Sequence, residues 1–358
     1  MVVAVSPADS AIPPVGQAYA FGGNTFGELG IEIVDDPSIP SQVGSQSWKK
    51  VSAGGGHSLG IQADGTLWSW GFNDQGQLGI GNTSNQSVPT QVGIQKWLTV
   101  AAGSRHSLGI RADGTLWAWG HNFVGQLGNG NTTNQLVPAQ VGSQKWQTVS
   151  AGDAHSLGIR ADGSLRAWGR GEQGQLGTGN TAYQLVPTQV GVQKWLAVSA
   201  GDNHSLGIRA DGSLRAWGYN HKGQLGIGVT GNRLIPTKVG AATWLAISAG
   251  HDHSLGIRAD GSLRAWGRND SGQLGDGTGI DRLFPVQVGI HKWLAIDAGD
   301  HHSLGVRANG SLRSWGWNPD GRLGDGTTIT RLAPVVIDTG DWLSISGGGG
   351  HTLVVLGA

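Results

Sequence analysis

A histidine recurs at His57, His106, His155, His204, His253, His302 and His351, a period of 49 residues without a slip. A proline keeps the same beat at Pro40, Pro89, Pro138, Pro187, Pro236, Pro285 and Pro334. So does a tryptophan at Trp48, Trp97, Trp146, Trp195, Trp244, Trp293 and Trp342. Units of this size cannot bury an apolar face alone, so neighbours must pack on one another. The repeat therefore overrides the two or three domains that 358 residues would suggest. One domain is expected over 15–358, after an N-terminal extension, 1–14, expected to be poorly ordered.

Each copy reads as short strands joined by turns. In the fourth, KWLAVSA (194–200), HSLGIR (204–209) and SLRAWG (213–218) are β-prone, and Asp211-Gly212 between the last two predicts a two-residue type I′ hairpin. Asn309-Gly310 replaces that pair in the sixth copy. A glycine-rich loop, GYNHKGQLGIG, leads to LIPTKV, whose proline belongs on a sheet edge because it has no N–H to donate. With 64 glycines the chain is poor helix material. The expected fold is all-β: seven blades of four antiparallel strands, packed radially into a β-propeller. The last blade would take two inner strands from 342–356 and two outer strands from about 17–43, a two-plus-two clasp of the termini.

Lys plus Arg and Asp plus Glu stand at 24 each, so no global field favours nucleic acid or an anionic membrane. Neither partner is expected, and the protein is expected to be a monomer. The absence of cysteine removes disulfides and thiolate chemistry. The first residues, MVVAVSPADSAIPP, lack a basic segment followed by a long apolar one. Secreted and cytoplasmic locations are not separated by these features.

The consensus AGxxHSLGIRADGSLRAWGxNxxGQLG resembles the regulator of chromosome condensation (alpha-tubulin suppressor-like) repeat, in its bacterial tryptophan-rich form, over practically the whole chain from about residue 15. The resemblance implies a propeller but not one function, since the family includes an exchange factor for a small GTPase, a plant ultraviolet photoreceptor and a bacterial β-lactamase inhibitor. Exchange activity in that family depends on an inserted β-hairpin wedge, and the seven equal repeats here leave no insertion. The photoreceptor carries tryptophan in a GWRHT pattern before the repeat histidine. Here those segments read GGGH, GSRH, GDAH, GDNH, GHDH, GDHH and GGGH.

Asp202, His204 and Ser205 imitate a catalytic constellation, but His-Ser stands in six copies and His351-Thr352 in the seventh. Seven identical active sites are implausible. The seven histidines are read as structural, each bridging buried backbone groups of neighbouring segments. Trp70, Trp119, Trp168, Trp217, Trp266 and Trp315, with Phe21 in the seventh place, are read as core. The series beginning at Trp48 is read as core, with a partly exposed rim as the alternative.

A scaffold position must repeat, whereas a binding position need not. Two places vary: the pair before the histidine, and the loop after WG, where an Asn (Gly171 in one copy) is assigned to the scaffold because it tolerates left-handed backbone. Strand order sends both to one end of every blade. The candidate partner-binding residues are Phe72, Arg105, His121, Phe123, Asp153, Arg170, Asp202, Tyr219, His251, Asp252, Arg268, Asp300, His301 and Trp317, a mixture rich in aromatic and arginine anchors. The opposite connections, ADG and VGxQKW, are monotonous. Asp153, Asp202, His251, Asp252, Asp300 and His301 are also the candidates for a divalent metal, but solvation explains them better; no metal and no cofactor are expected. The expected function is a non-enzymatic scaffold that binds a macromolecule, foremost a protein. The alternatives are a glycan-binding module, a guanine-nucleotide exchange factor, and a regularised or designed scaffold without specific function, the last suggested by the near-identity of copies three to five.

Overall fold

The computed structural model describes residues 14–32 and 36–357. The extension expected over 1–14 therefore lies, except for residue 14, outside the described residues. These form strands and turns, with no helix among them. The first strands are β1 (Gly16–Gly22), β2 (Ser41–Ala53), β3 (His57–Gln62), β4 (Thr66–Gly71) and β5 (Gln86–Ala102). The same pattern then recurs every 49 residues, down to Arg331–Thr339, Trp342–Gly347 and His351–Gly357. The architecture is an all-β, propeller-like fold of repeated antiparallel strands.

β3 pairs with β4 from His57↔Gly71 to Ile61↔Leu67, and β4 pairs with the first part of β5, Gln86 opposite Gly71 and Gln91 opposite Trp68. The second part of β5 joins the next unit, from Trp97↔Arg111 to Ala102↔Ser107. One 17-residue strand thus serves two units. VGxQKW, expected as a connecting loop, is part of that strand. Gly93 takes φ 61° and its equivalents match it, and the register with β4 shifts between Thr66 and Trp68. A bulge-like step with glycine at positive φ re-aims the chain without leaving the extended state.

The Asp-Gly turn also differs from expectation. A type I′ turn needs positive φ at both central residues, but Gly65 alone has it (87°) and Asp64 does not. Gly65 N donates to Gln62 O at 2.9 Å, and the Asp64 carboxylate accepts from the N–H and hydroxyl of Thr66 at 2.8 and 2.6 Å. The side chain makes the turn that the backbone was expected to make.

At the termini, β1 pairs along its length with His351–Gly357, from Gly16↔Gly357 to Gly22↔His351. Its other edge meets the start of β2 at Tyr19↔Gln42 and Ala20↔Ser41, and Trp342–Gly347 flanks His351–Gly357.

In six units the two tryptophans pack against one another, with ring centroids 5.6–5.7 Å apart. The WG indole is fully buried, as is Phe21 in its place. Its N–H donates to a carbonyl 42 residues earlier, as from Trp119 to Gln77 O at 2.9 Å. The glycine of HSLGI makes room for the partner: a Cβ on Gly60 would come within 2.4 Å of the Trp48 ring.

The histidines link repeat to repeat. His57 Nε2 lies 2.9 Å from Ser107 Oγ, and the series continues His106–Ser156, His155–Ser205, His204–Ser254, His253–Ser303 and His302–Thr352, all at 2.9 Å. It returns from His351 to Ser58, again at 2.9 Å. Each hydroxyl spends its proton on a loop carbonyl, as Ser107 does on Gln77 O at 2.8 Å. It can therefore only accept from the imidazole, so every ring carries its proton on Nε2. The histidine reaches backbone through this hydroxyl rather than directly as expected. His204 and Ser205 do not meet; each is bonded to a different neighbour.

Burial holds His57, His106, His155, His253 and His351 down to about 3 and His204 to about 4, and it pushes His302 well below the usual imidazole range. Unfolded, each takes a proton below about pH 6.5. The unfolded state then binds more protons than the folded one, so stability is full above that pH and falls as the pH drops, by up to about 1.4 kcal/mol per pH unit for each histidine. Denaturant midpoints at pH 7.0, 6.0 and 5.0 should fall with the slope of several histidines, not one. His204→Ala should cost about 1–3 kcal/mol at pH 7, because Ser254 Oγ loses its donor in a buried place; an unchanged midpoint would refute this role.

Candidate functional site

The loop after WG is fastened to the residue before the histidine. Phe72 N donates to Gly56 O (2.8 Å), His121 N to Arg105 O (2.9 Å), Arg170 N to Ala154 O (2.9 Å), Tyr219 N to Asn203 O (2.8 Å), Arg268 N to Asp252 O (2.9 Å) and Trp317 N to His301 O (2.9 Å). The two variable positions are therefore neighbours in six repeats, at one end of the strands. The Asn between them is scaffold for another reason than expected. None of these residues has positive φ; Asn73 is fully buried, and its amide donates to Asn82 O and Ser84 O while its Oδ1 accepts from Leu78 N. At Gly171 a Cβ would come within 2.3 Å of Ala182 O, so that loop follows a different path.

Aromatic and arginine side chains stand at this end from the first repeat to the sixth. Phe72 packs on Phe26 at 4.3 Å between centroids. Arg105 lies over Phe72 at 5.4 Å and reaches the Asp74 carboxylate at 3.2 Å. Phe123 is 66% exposed and packs on His121 at 4.6 Å. Tyr219 stacks on His221 at 4.6 Å. Trp317, 39% exposed, meets the His301 ring edge-on at 5.6 Å and lies under the Arg322 guanidinium at 4.5 Å. Phe26 and Arg322 are absent from the sequence-derived set. Aligning FGGNTFGELG with WGFNDQGQLG sets Phe26 opposite Gln75, and Arg322 stands where five copies have glutamine and one has Glu28.

Carboxylates and imidazoles gather in repeats three to six. His251 bridges two repeats, its Nδ1 2.9 Å from Asp252 Oδ2 and its Nε2 3.3 Å from Asp202 Oδ2. The hydrogen bond to Asp252, reinforced by the Asp202 charge, raises the imidazole to about 9. Burial, then the charge of Asp300, pushes Asp202 up to about 8, and burial also raises Asp300. Burial would raise Asp252, but the hydrogen bond from His251 and the charges of His251, His204 and Arg268 together outweigh it and hold this carboxyl below its ordinary value. Burial, then the charge of His251 at 5.1 Å between ring centroids, lowers His301 to about 4. Arg170 stands 3.7 Å from Asp153, and Arg268 is 2.6 Å from Asp270 and 3.8 Å from Asp252. Among the described residues no three of these carboxylates and imidazoles converge as a metal-ligand set. Asp153, Asp202 and Asp300 line a cavity of about 130 Å³ walled by strands from every repeat.

At the opposite end Lys96 pairs with Asp64 at 2.9 Å, while Lys145 and Lys194 reach the carbonyls of Asp113 and Asp162. Trp97, Trp146 and Trp195 beside them are only 2–4% exposed, so no sugar ring can stack on their faces. The bulged tips there carry Ile94, Val192 and Ile290, which are 81–86% exposed and which sequence reading passed over as monotonous.

The profile of the RCC1-like domain family matches residues 14–354. No curated protein sequence matches the chain. Among solved structures, human WBSCR16 is similar at a TM-score of 0.87 with 21% identity, over 96% of this chain and 99% of that one. Prp20p of Saccharomyces cerevisiae, described with its binding properties to Gsp1p and histones, is similar at 0.86 with 23% identity, over 97% and 93%. Yeast RCC1 (Prp20) bound by Kap60 gives 0.85 with 22% identity, over 99% and 95%. At these identities the likeness carries the fold alone.

The imidazole network makes a direct prediction. Nuclear magnetic resonance titration should find His251 protonated well above the ordinary histidine range while its neighbour His301 stays neutral through pH 6. Asp202→Asn should lower the His251 value, since one of its two carboxylate partners loses its charge; no change would remove the bridge between repeats.

Proposed function

The chain belongs to the RCC1-like domain family, and on that premise we propose that it is a non-enzymatic, seven-bladed propeller, closed by a two-plus-two clasp of its termini, that binds a protein through the diversified end. Three observations support the closed, seven-bladed reading: the pairing of β1 with His351–Gly357, the His351–Ser58 bond, and the hydrogen bonds from Val51 N and Ala53 N to Ser344 Oγ and Ser346 Oγ. Protein binding rests on one observation above all. Within each of six repeats a backbone hydrogen bond brings the two variable positions together at the same end of the strands, where they present aromatic and arginine anchors, the residue types that dominate interfaces. The relatives described with Gsp1p, histones and Kap60 as partners agree with a protein partner.

The glycan reading loses its support with the burial of Trp97, Trp146 and Trp195. The exchange reading finds no hairpin added to the repeated strands among the described residues.

Alanine at Arg105, Phe123, Tyr219 or Trp317 should leave stability within about 0.5 kcal/mol, and at least one should cost about 2 kcal/mol or more in binding. Alanine at Lys96, Lys145 or Lys194 should do neither. A partner co-purified from the native host and identified by mass spectrometry permits calorimetry on both sets; loss confined to the lysine set would move the surface to the other end. Deletion of 351–357 should lower the melting temperature and promote association, because an apolar sheet edge is left open. A truncated monomer with the full-length melting temperature would refute the clasp.

A further inference from the structure

The bulge of the fifth copy departs from symmetry in a way that the partner-binding end does not use. In the first four copies two glutamines bracket the bulge glycine. Gln42, Gln91, Gln140 and Gln189 donate through Nε2 to the carbonyls of Gly44, Gly93, Gly142 and Gly191 at 2.9–3.0 Å. A second glutamine folds over the same glycine, since a Cβ on Gly93 would come within 2.6 Å of Gln95 Oε1. In the fifth copy the first glutamine is Lys238, the second is Ala242, and Thr243 stands where the second copy has Lys96. Nothing takes over the vacated space: a Cβ on Gly240 would meet no atom within 4 Å. A pocket opens there, lined by Ile227 from the fourth copy, by Lys238, Ala242, Trp244 and Arg258 from the fifth, and by Phe284 from the sixth. Phe284 is itself a departure, because other copies have valine, isoleucine or alanine at its place.

We infer that this pocket is a binding site for a small aromatic carboxylate. Ile227, Ala242 and the buried Trp244 give it an apolar lining, and Phe284, 62% exposed, offers a ring for a second ring to pack on. Both charged lining residues are cations, and no carboxylate lines the pocket. Among the described residues Lys238 makes neither the hydrogen bond of the glutamine it replaces nor an ion pair. Arg258 lies over the Trp244 ring at 5.5 Å, its Nε is buried without an acceptor, and it forms no ion pair. Asp260, two residues on, is turned away to accept from Ser262 N at 2.8 Å. An apolar recess with a few converging polar groups is what a small-molecule site requires. A planar carboxylate suits the guanidinium fork and the ammonium together.

The test follows the fluorine resonance of para-fluorobenzoate as full-length protein is added near neutral pH. The wild-type chain should broaden it at millimolar ligand. Uncharged para-fluorobenzamide should bind at least about tenfold more weakly, because charge-assisted bonds to two cations are lost. Lys238→Gln should weaken benzoate binding by about fivefold or more. Joint replacement Ala242→Gln and Thr243→Lys restores the residues that the second copy carries as Gln95 and Lys96, so it should keep the wild-type melting temperature and abolish binding. No broadening by the wild-type chain, or undiminished broadening by the folded double variant, overturns the site. Equal binding of the benzamide, or no effect of Lys238→Gln, overturns the charged ligand. Displacement of the probe by acetate as readily as by benzoate overturns the aromatic one.

Discussion

A buried imidazole that donates across to the next repeat's hydroxyl is the interaction on which the remainder of this fold depends. It serves three groups at once: it satisfies the hydroxyl, leaves the hydroxyl proton for a loop carbonyl, and fixes the distance between neighbouring units. The same carbonyl accepts the indole N–H of the next repeat's WG tryptophan, as Gln77 O does from both Ser107 and Trp119. Three segments from two repeats thus converge on one oxygen, and the GQLG turn is held at a set height. Dense burial keeps the ring neutral while it does this.

Because those bonds are made by backbone carbonyls and side chains that recur in every repeat, the repeated frame does not depend on the side chains at the intervening positions. The residue after WG and the two before the histidine are fastened through backbone N–H and C=O groups, which any side chain supplies. That separation lets Phe72, His121, Arg170, Tyr219, Arg268 and Trp317 stand at equivalent places with different chemistry. It also lets different chemistries meet at this end, as Trp317 meets His301 and Arg268 stands near Asp252.

Where the repeat is broken, the breaks are local substitutions answered by new bonds. Arg322 takes the place of a glutamine, is only 3% exposed, donates to Gly349 O at 2.7 Å and pairs with Asp320. It thereby joins the sixth repeat to the C-terminal strands. Asp297 takes the place of a serine and keeps its hydrogen bond to the next strand. Lys50, which stands where other repeats have Thr, Ala or Ser, donates to Thr99 Oγ1 of the next repeat.

The period of 49, the strand positions, the core tryptophans and the location of the variable residues were all legible in the sequence. Each rests on a local rule repeated seven times, and repetition makes a weak local signal strong. The sequence also told scaffold from variable position, because a shared bond imposes a shared residue. Several things depended on atoms that only folding brings together. Asp64 closes its turn through its carboxylate, the Asn73 amide satisfies carbonyls nine and eleven residues on, and VGxQKW stays extended instead of looping. The partner of each histidine lies 50 residues ahead, and for His351 it lies 293 residues back. Phe26 reaches Phe72, His251 reaches Asp202, and Lys50 turns toward a cavity, by packing between repeats. Spacing along the chain carries periodicity, but it does not carry the distance between side chains that different repeats contribute.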